Sequence, residues 1–380
     1  MSEHSQTLPV TVSEIPLSNG KVAGHLTLNK PKALNALDLE MAEIMLGALK
    51  SWAKRDEVAF VVMDATGDKA FCAGGDIVSM YNAMKDNPDS VPHFVKTFFT
   101  VEYTLDYAIR TYNKPVIAWG HGIVMGGGMG LMTGASHRVV TQSSRLAMPE
   151  ISIGLYPDVG GTYFLPRLPG KTGLFLGLTG ASINASDALY IGLADHYCDA
   201  QDKDAIFKAL AECDVSTAEA TSQSVSDVLQ RFEVAQDERV AGQVEPHRQA
   251  IDSVCEADSL AAVVEGISSL DADDDKWLSK AQKSLAAGSP ITAHLVYEQI
   301  RRGQSLSLAE CFKTELGVSC HCGEYGEFQE GIRALLIDKD NTPQWKFDDV
   351  ASVPEEVVEY FFSDPWQDES HPLAQLGEKS

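Results

Sequence analysis

The sequence predicts an α/β fold in its first 200 residues, followed by a mainly helical region. Two observations support this. Short apolar runs rich in β-branched residues alternate with segments of helical periodicity up to about residue 200, and strand-like runs then cease. We therefore divide the chain into a reactive core (1–200), a helical region (201–345) and an acidic tail (346–380). The length of 380 residues permits one large domain with a smaller appendage.

In the core, strands and helices are predicted in alternation. The first strand is Val22–Leu28, and residues 58–63 (VAFVVM) form a continuous apolar run, typical of a strand buried on both faces. Asp38 can cap a helix over Leu39–Ala53, in which apolar residues recur at helical spacing. Further strands are predicted at 116–119 and 137–141, and further helices at 76–84, 94–111 and 126–135.

Beyond the core, the helices predicted are 205–211, 224–232, 259–269, 291–301 and 307–314, and the tail is acidic and poorly periodic. Cys320, His321 and Cys322 suggest a metal site at first sight. Their spacing is wrong for a zinc knuckle, and no second Cys/His pair lies near. We expect no metal.

Charge and cysteine content restrict the partners and the compartment. The chain has 30 Lys and Arg against 54 Asp and Glu, a net charge of −24, which disfavours nucleic acid as a partner. The first 14 residues lack both a secretory pattern and the arginines of a transit peptide. Seven scattered cysteines fit free thiols in a reducing cytoplasm, and no apolar run reaches membrane-spanning length.

Two glycine-rich segments follow predicted strands and precede predicted helices. They are residues 69–77 (KAFCAGGDI) and 121–130 (HGIVMGGGMG). Glycine lets a ligand approach the backbone, and the start of a helix offers unpaired N–H groups. Two such segments facing one carbonyl would stabilise an oxyanion or an enolate. Tight helix packing is the alternative explanation for each segment alone.

A third segment, residues 148–161 (MPEISIGLYPDVGG), contains two carboxylates in an apolar loop. Glu150 and Asp158 stand eight residues apart. Burial of a carboxyl raises its pKa and suits it to act as a base or a nucleophile. The alternative is that both residues only cap the segments that follow them.

The order of these motifs resembles the crotonase superfamily, and within it the 3-hydroxyisobutyryl-CoA hydrolase branch. Similar stretches also lie at 29–37, 163–168 and 335–340, so that the resemblance spans about residues 22–346. It implies a crotonase-type ββα spiral with a helical C-terminal region. It also implies hydrolysis of a short 3-hydroxyacyl-CoA thioester, 3-hydroxyisobutyryl-CoA in valine catabolism. CoA would be part of the substrate, with no separate cofactor, and a homo-oligomer is a possible assembly.

The resemblance implies a role for each site residue. The N–H groups of Gly75 and Gly127 would form an oxyanion hole. Glu150 would attack the thioester or activate water, and Asp158 would bind the acyl hydroxyl or position Glu150 and water. Glu102 would lie at the substrate end of the pocket, unless it is only part of a solvated helix face. The stretches that would hold the CoA nucleotide contribute Lys32, Ala33, Leu34, Asp76 and Ile77.

One departure from the hydratases of this superfamily favours hydrolysis. Hydratases carry a catalytic glutamate two residues after the Gly-Gly-Gly, where this chain has Gly130, and they usually carry glycine where this chain has Asp158. Because hydration needs both carboxylates of the hydratase pair, hydrolysis fits better. Two alternatives stay open: an enoyl-CoA hydratase or isomerase type of reaction on another acyl-CoA, and a non-catalytic binding protein on the same fold.

Overall fold

The computed structural model describes residues 8–88, 90–366 and 370–378. Its strands are β1 (Val10–Pro16), β2 (Val22–Leu28), β3 (Val58–Ala65), β4 (Ala70–Cys72), β5 (Val116–Gly120), β6 (Ile123–Met125), β7 (His137–Val140), β8 (Arg145–Ala147), β9 (Ile183–Asn184) and β10 (His196–Tyr197). Its helices are α1 (Leu39–Ala53), α2 (Ile77–Asp86), α3 (His93–Arg110), α4 (Gly127–Gly134), α5 (Gly161–Phe164), α6 (Thr172–Thr179), α7 (Ala185–Tyr190), α8 (Lys203–Leu210), α9 (Ala218–Arg231), α10 (Val244–Cys255), α11 (Leu260–Ser268), α12 (Lys276–Ala287), α13 (Pro290–Gly303), α14 (Leu308–Tyr325), α15 (Glu327–Ile332) and α16 (Glu355–Phe361).

Two sheets build the N-terminal part, and from β3 to β8 consecutive strands alternate between them. The larger sheet has the order β1-β2-β3-β5-β7-β10, and only β1 and β2 pair antiparallel. The smaller has the order β4-β6-β8-β9, with β8 and β9 antiparallel. The pairs β3-β4, β5-β6 and β7-β8 each place one strand in each sheet, and α2 and α4 follow the first two pairs. This repeat confirms the predicted α/β class and ββα spiral.

The elements form where the local sequence favours them. All eight residues of β3 are buried, as its continuous apolar run predicts. Helix α1 begins where the Asp38 side chain accepts a hydrogen bond from the Met41 N–H at 2.8 Å. The three-residue strands β4, β6 and β8 were not predicted, because runs this short carry no periodicity.

Helix α14 is much longer than the predicted 307–314 segment. It extends to Tyr325 and contains the Cys320–Cys322 motif. Residues 315–323 are all buried, so the sequence lacks the polar face from which amphipathic helices are predicted. The acidic tail contains a helix, α16, and buries the side chains of Trp366 and Leu373.

The C-terminal helices pack directly on the spiral. One hydrophobic core contains residues from β1 through to Leu376. Helix α14 packs against α3, and α15 packs against α2 and the 3₁₀ turn Glu150–Ile153. This packing confirms the predicted helical C-terminal region and places it behind the predicted reactive loop.

Candidate active site

A cavity of about 250 Å³ lies between the start of α4, the segment before α2 and the loop that begins at Glu150. The four predicted catalytic residues all line it; they are Gly75, Gly127, Glu150 and Asp158. Apolar side chains form much of the remaining wall, among them Met80, Phe98, Phe99, Ile153 and Leu155. Leu335 and Leu336, which are partly exposed, also line the cavity and mark its opening to solvent.

Two backbone N–H groups converge at one end of this cavity. Gly127 is the first residue of α4, and Gly75 precedes the residue that caps α2. Within the described part of the chain, neither N–H donates a hydrogen bond. A β-carbon on Gly127 would lie 3.5 Å from the Gly75 nitrogen and 2.5 Å from Oε1 of Glu102, so any side chain there would force the backbone or the Glu102 carboxyl to move. Free, adjacent donors of this kind suit a carbonyl oxygen that gains negative charge.

Glu150 begins the 3₁₀ turn Glu150–Ile153 and is 4% exposed. Its Oε1 lies 3.1 Å from where a β-carbon on Gly126 would be, and its Oε2 has no hydrogen-bond partner in the described residues. Burial raises the pKa of this carboxyl well above its ordinary value, and the nearby charge of Asp158 raises it further. The side chain is therefore held unsolvated at the cavity wall, as a base or nucleophile requires.

Asp158, also buried, is held by a network of hydroxyl groups. The Tyr103 hydroxyl donates to its Oδ2 at 2.6 Å. The Ser319 hydroxyl lies 2.6 Å from the Tyr103 oxygen and 3.1 Å from that of Tyr156. Burial raises the pKa of Asp158 to about 7, although the hydrogen bond from Tyr103 lowers it in part. Burial therefore favours the neutral form of this carboxyl, and the Tyr103 hydroxyl favours the charged form.

Glu102 is a third buried carboxyl of the cavity. It lies on α3 and is 2% exposed, so the alternative of a solvated helix face is wrong. Its Oε1 has no hydrogen-bond partner among the described residues. Burial raises its pKa well above the ordinary value, and the charges of Asp158 and Asp106 add to the effect. Glu102 thus presents an unpartnered polar group to the cavity that it lines.

The loop that carries Asp158 is fixed from behind by α13 and α14. The Glu315 carboxylate accepts hydrogen bonds from the N–H groups of Gly160 and Thr162, both at 2.8 Å. The Gln299 side chain donates to the Pro157 carbonyl at 2.7 Å. Burial raises the pKa of Glu315 to about 8. These contacts fix the backbone on both sides of Asp158.

The residues predicted to hold CoA occupy three kinds of position. Ile77 lines the cavity, whereas the Asp76 side chain caps α2. The Leu34 carbonyl accepts a hydrogen bond at 3.1 Å from a backbone N–H of the cavity wall, which brings its turn beside the cavity. Lys32 and Ala33 are exposed on that turn, outside the cavity lining. Their contact with CoA stays a prediction.

Six residues of this arrangement were not predicted from the sequence to be part of the site: Tyr103, Asp106, Tyr156, Gln299, Glu315 and Ser319. Glu102 and Asp106 stand four residues apart on the face of α3 that also buries Phe98 and Phe99. Acidic residues on an apolar helix face are a pattern in the sequence that could have indicated buried carboxyls. Glu315 and Ser319 give no such signal, because their roles depend on partners more than 150 residues away.

In residues 8–88, 90–366 and 370–378, no group of three or more His, Cys, Asp and Glu side chains is placed to hold a metal ion. Among the helices of this same part of the chain, none combines the length and the apolar character needed to cross a membrane.

Comparison with known protein families shows to which family the chain belongs. The family model described as enoyl-CoA hydratase/isomerase matches residues 23–362. The chain belongs to the enoyl-CoA hydratase/isomerase family. This membership confirms the resemblance to the crotonase superfamily, and the match covers both the spiral and the helical C-terminal region.

A relative within this family supports the hydrolase branch. A 3-hydroxyisobutyryl-CoA hydrolase from Danio rerio is 40% identical over 356 residues, which cover 92% of this chain and 90% of that protein. The predicted resemblance to this branch is therefore confirmed. The relative is named as mitochondrial, so the comparison gives no support to a cytoplasmic location.

Two solved structures of the family share the whole fold. A carnitinyl-CoA dehydratase from Mycobacterium thermoresistibile matches with a TM-score of 0.84 and 34% identity, covering 98% of this chain and 100% of that one. An enoyl-CoA hydratase from Rhodobacter sphaeroides matches with a TM-score of 0.80 and 32% identity, covering 93% and 97%. The fold is thus common to proteins with different named reactions, and the reaction must be argued from the site.

Proposed function

We propose that the protein hydrolyses 3-hydroxyisobutyryl-CoA to 3-hydroxyisobutyrate and CoA. One observation carries the proposal: the buried Glu150 and Asp158 carboxyls line the same cavity as the free N–H groups of Gly75 and Gly127. The name of the Danio rerio relative supports this substrate.

In the proposed reaction, Gly75 and Gly127 donate hydrogen bonds to the thioester carbonyl oxygen. Each donor aimed at a developing oxyanion can lower the barrier by about 3 kcal/mol. The Glu150 carboxylate either attacks the carbonyl carbon, which gives an anhydride that water then cleaves, or deprotonates a water that attacks directly. On both routes the C–S bond breaks and a water oxygen enters the acid. One hydrogen of the water ends on the CoA thiol, and the other is released with the acid.

The carboxyls of Glu102 and Asp158 are the proposed partners of the 3-hydroxyl group. Glu102 Oε1 has no partner among the described residues, and a buried polar group of this kind is satisfied when a substrate hydroxyl fills the cavity. The volume of about 250 Å³ suits a short acyl group. We therefore expect poor turnover of acyl-CoAs that lack the hydroxyl.

The proposal needs no cofactor, since CoA is part of the substrate. The nucleotide of CoA is anionic while the chain carries a net charge of −24, so a local positive charge is required. Lys32 is exposed on the turn beside the cavity and is the predicted source of that charge. A homo-oligomer and a cytoplasmic location stay predictions; sedimentation and cell fractionation test them.

Hydration or dehydration of an acyl-CoA is the second candidate, because the two matching structures carry such names. Against it stands Gly130, at the position where the hydratase glutamate is expected. A β-carbon there would lie 2.6 Å from Asp106 Oδ2 and 2.7 Å from the Val159 β-carbon, so the structure leaves no room for a side chain. Hydrolysis therefore fits the site better.

The deciding experiment measures two signals from the wild-type protein with a panel of short acyl-CoAs. Thiol release reports hydrolysis, and ultraviolet absorbance of the conjugated double bond reports hydration or dehydration. We expect thiol release, fastest with 3-hydroxyisobutyryl-CoA and slower with isobutyryl-CoA. A change in double-bond absorbance without thiol release would instead support the second candidate, and inertness in both assays would support a binding protein.

A further inference from the structure

A second cavity, of about 380 Å³, lies beside the proposed active site. The linings of the two cavities share a single residue among those the structure describes, Val159. It directly follows Asp158 in the reactive loop. The exposed residues Arg110, Arg167 and Tyr190 line the second cavity, so that this cavity reaches the protein surface.

Asp106 lies in the wall of the second cavity and is 2% exposed. Both of its carboxyl oxygens are buried without a hydrogen-bond partner in the described residues. Because Gly130 has no side chain, the Asp106 carboxyl can occupy the space beside it. A buried carboxyl without protein partners is normally satisfied by water, and the cavity holds space for several waters at about 30 Å³ each.

Val159 separates the two cavities in an unusual backbone conformation. Its φ is +50°, a region that β-branched residues rarely adopt, and Gly160 follows with a φ of +90°. This geometry sets the Val159 side chain between the cavities. The side chain that lines both cavities therefore stands on the same loop as Glu150 and Asp158.

We propose that the second cavity binds the water used in hydrolysis and delivers it past Val159, with Asp106 as its hydrogen-bond partner. This inference rests on the proposed hydrolysis. An acyl-CoA that enters beside Leu335 and Leu336 fills the first cavity from its opening, so water must reach the acyl carbon from another side. The oxygen of the delivered water forms the new C–O bond as the C–S bond, or the anhydride C–O bond, breaks.

The first test fills the second cavity at Leu189, which does not line the first cavity. Leu189 lines this cavity and is partly exposed, so a larger side chain there takes up cavity space. We expect Leu189→Trp to lower kcat for thiol release at least tenfold with an unchanged KM. The matched Leu8→Trp, at a residue that is 60% exposed and lines neither cavity, should keep the wild-type rate. A wild-type kcat in the folded Leu189→Trp variant would overturn the proposal, as would an equal loss in both variants.

A second pair of variants tests Asp106 itself. Asp106→Leu removes the hydrogen-bond partner of the water, so kcat should fall with KM unchanged. Asp106→Asn keeps a hydrogen-bonding group at this position, so it should retain most of the wild-type kcat. Equal rates in the two variants would contradict the role of Asp106.

A crystal structure of the wild-type protein with CoA bound adds a test that does not depend on an activity measurement. Ordered waters on Asp106 support the proposal, and a dry cavity overturns it while leaving the proposed hydrolysis intact. Missing thiol release by the wild type would instead refute the proposed function, and with it the delivery of water for hydrolysis.

Discussion

The spiral and the C-terminal helices contribute to the site in different ways. The spiral and the loop that follows β8 supply the groups that face the cavity: two free N–H donors and the carboxyls of Glu102, Glu150 and Asp158. The C-terminal helices contribute mainly from behind, where Glu315 holds the loop backbone and Ser319 contacts Tyr103. Reactive groups are thus encoded in short local motifs, and their alignment depends on long-range contacts.

From this difference between the spiral and the C-terminal helices, we expect the largest loss of kcat when a group that faces the cavity is changed. Glu150→Gln keeps the shape of the side chain but removes the nucleophile or base, so kcat for thiol release should fall by about 10²–10⁴-fold. CoA binding, measured by calorimetry, and the melting temperature should stay close to wild type. A Gln variant with wild-type kcat would show that the chemistry resides elsewhere.

A change at the backbone donors should have the next largest effect. In Gly127→Ala the new β-carbon would meet Glu102 Oε1 at 2.5 Å, so the N–H or the carboxyl must move. We expect kcat to fall by about 10²-fold, the loss typical of one oxyanion donor. Gly47→Ala is the matched control, because Gly47 is exposed on α1 and a β-carbon there meets nothing within 4 Å. Equal rates in both variants would argue against Gly127 as a donor.

The smallest catalytic effect is expected behind the loop. Glu315→Gln replaces one accepting oxygen by an NH₂ group that faces the N–H of Gly160 or Thr162, so one hydrogen bond is lost. The free energy of unfolding should fall by about 1–3 kcal/mol. The loss of kcat should stay below about tenfold, or ~1.4 kcal/mol of barrier. Urea unfolding measures the change in the free energy of unfolding, and thiol release measures the change in kcat.

The matched control for this prediction is Glu265→Gln. Glu265 is exposed on α11, and its side chain contacts no partner in the described residues. Its replacement should change neither stability nor rate. If Glu315→Gln behaved in the same way, the Glu315 contacts would not be what holds the loop.

The same contrast explains how much could be predicted from the sequence. Local patterns predict the α/β class from buried apolar runs, the two glycine-rich segments before helices, and the two carboxylates in an apolar loop. The spiral and the choice of Gly75 and Gly127 come from the resemblance to the crotonase superfamily. The full length of α14 could not be predicted, because burial on almost every side removes its periodicity. The contact of Glu315 with Gly160 crosses 155 residues, and no pattern in one sequence marks such a pair.

The pH dependence of kcat/KM, measured for the wild type and for Asp158→Asn, tests the central claim most directly. Burial and the charge of Asp158 raise the pKa of Glu150, and an ionised Glu150 is required for attack. Activity of the wild type should therefore rise with pH above the ordinary carboxyl range. Removal of the Asp158 charge makes ionisation of Glu150 easier, so the acid limb of the profile should move to lower pH in the variant, whose maximal rate is reduced. An acid limb at the same pH in both proteins would contradict a coupled carboxyl pair in this cavity.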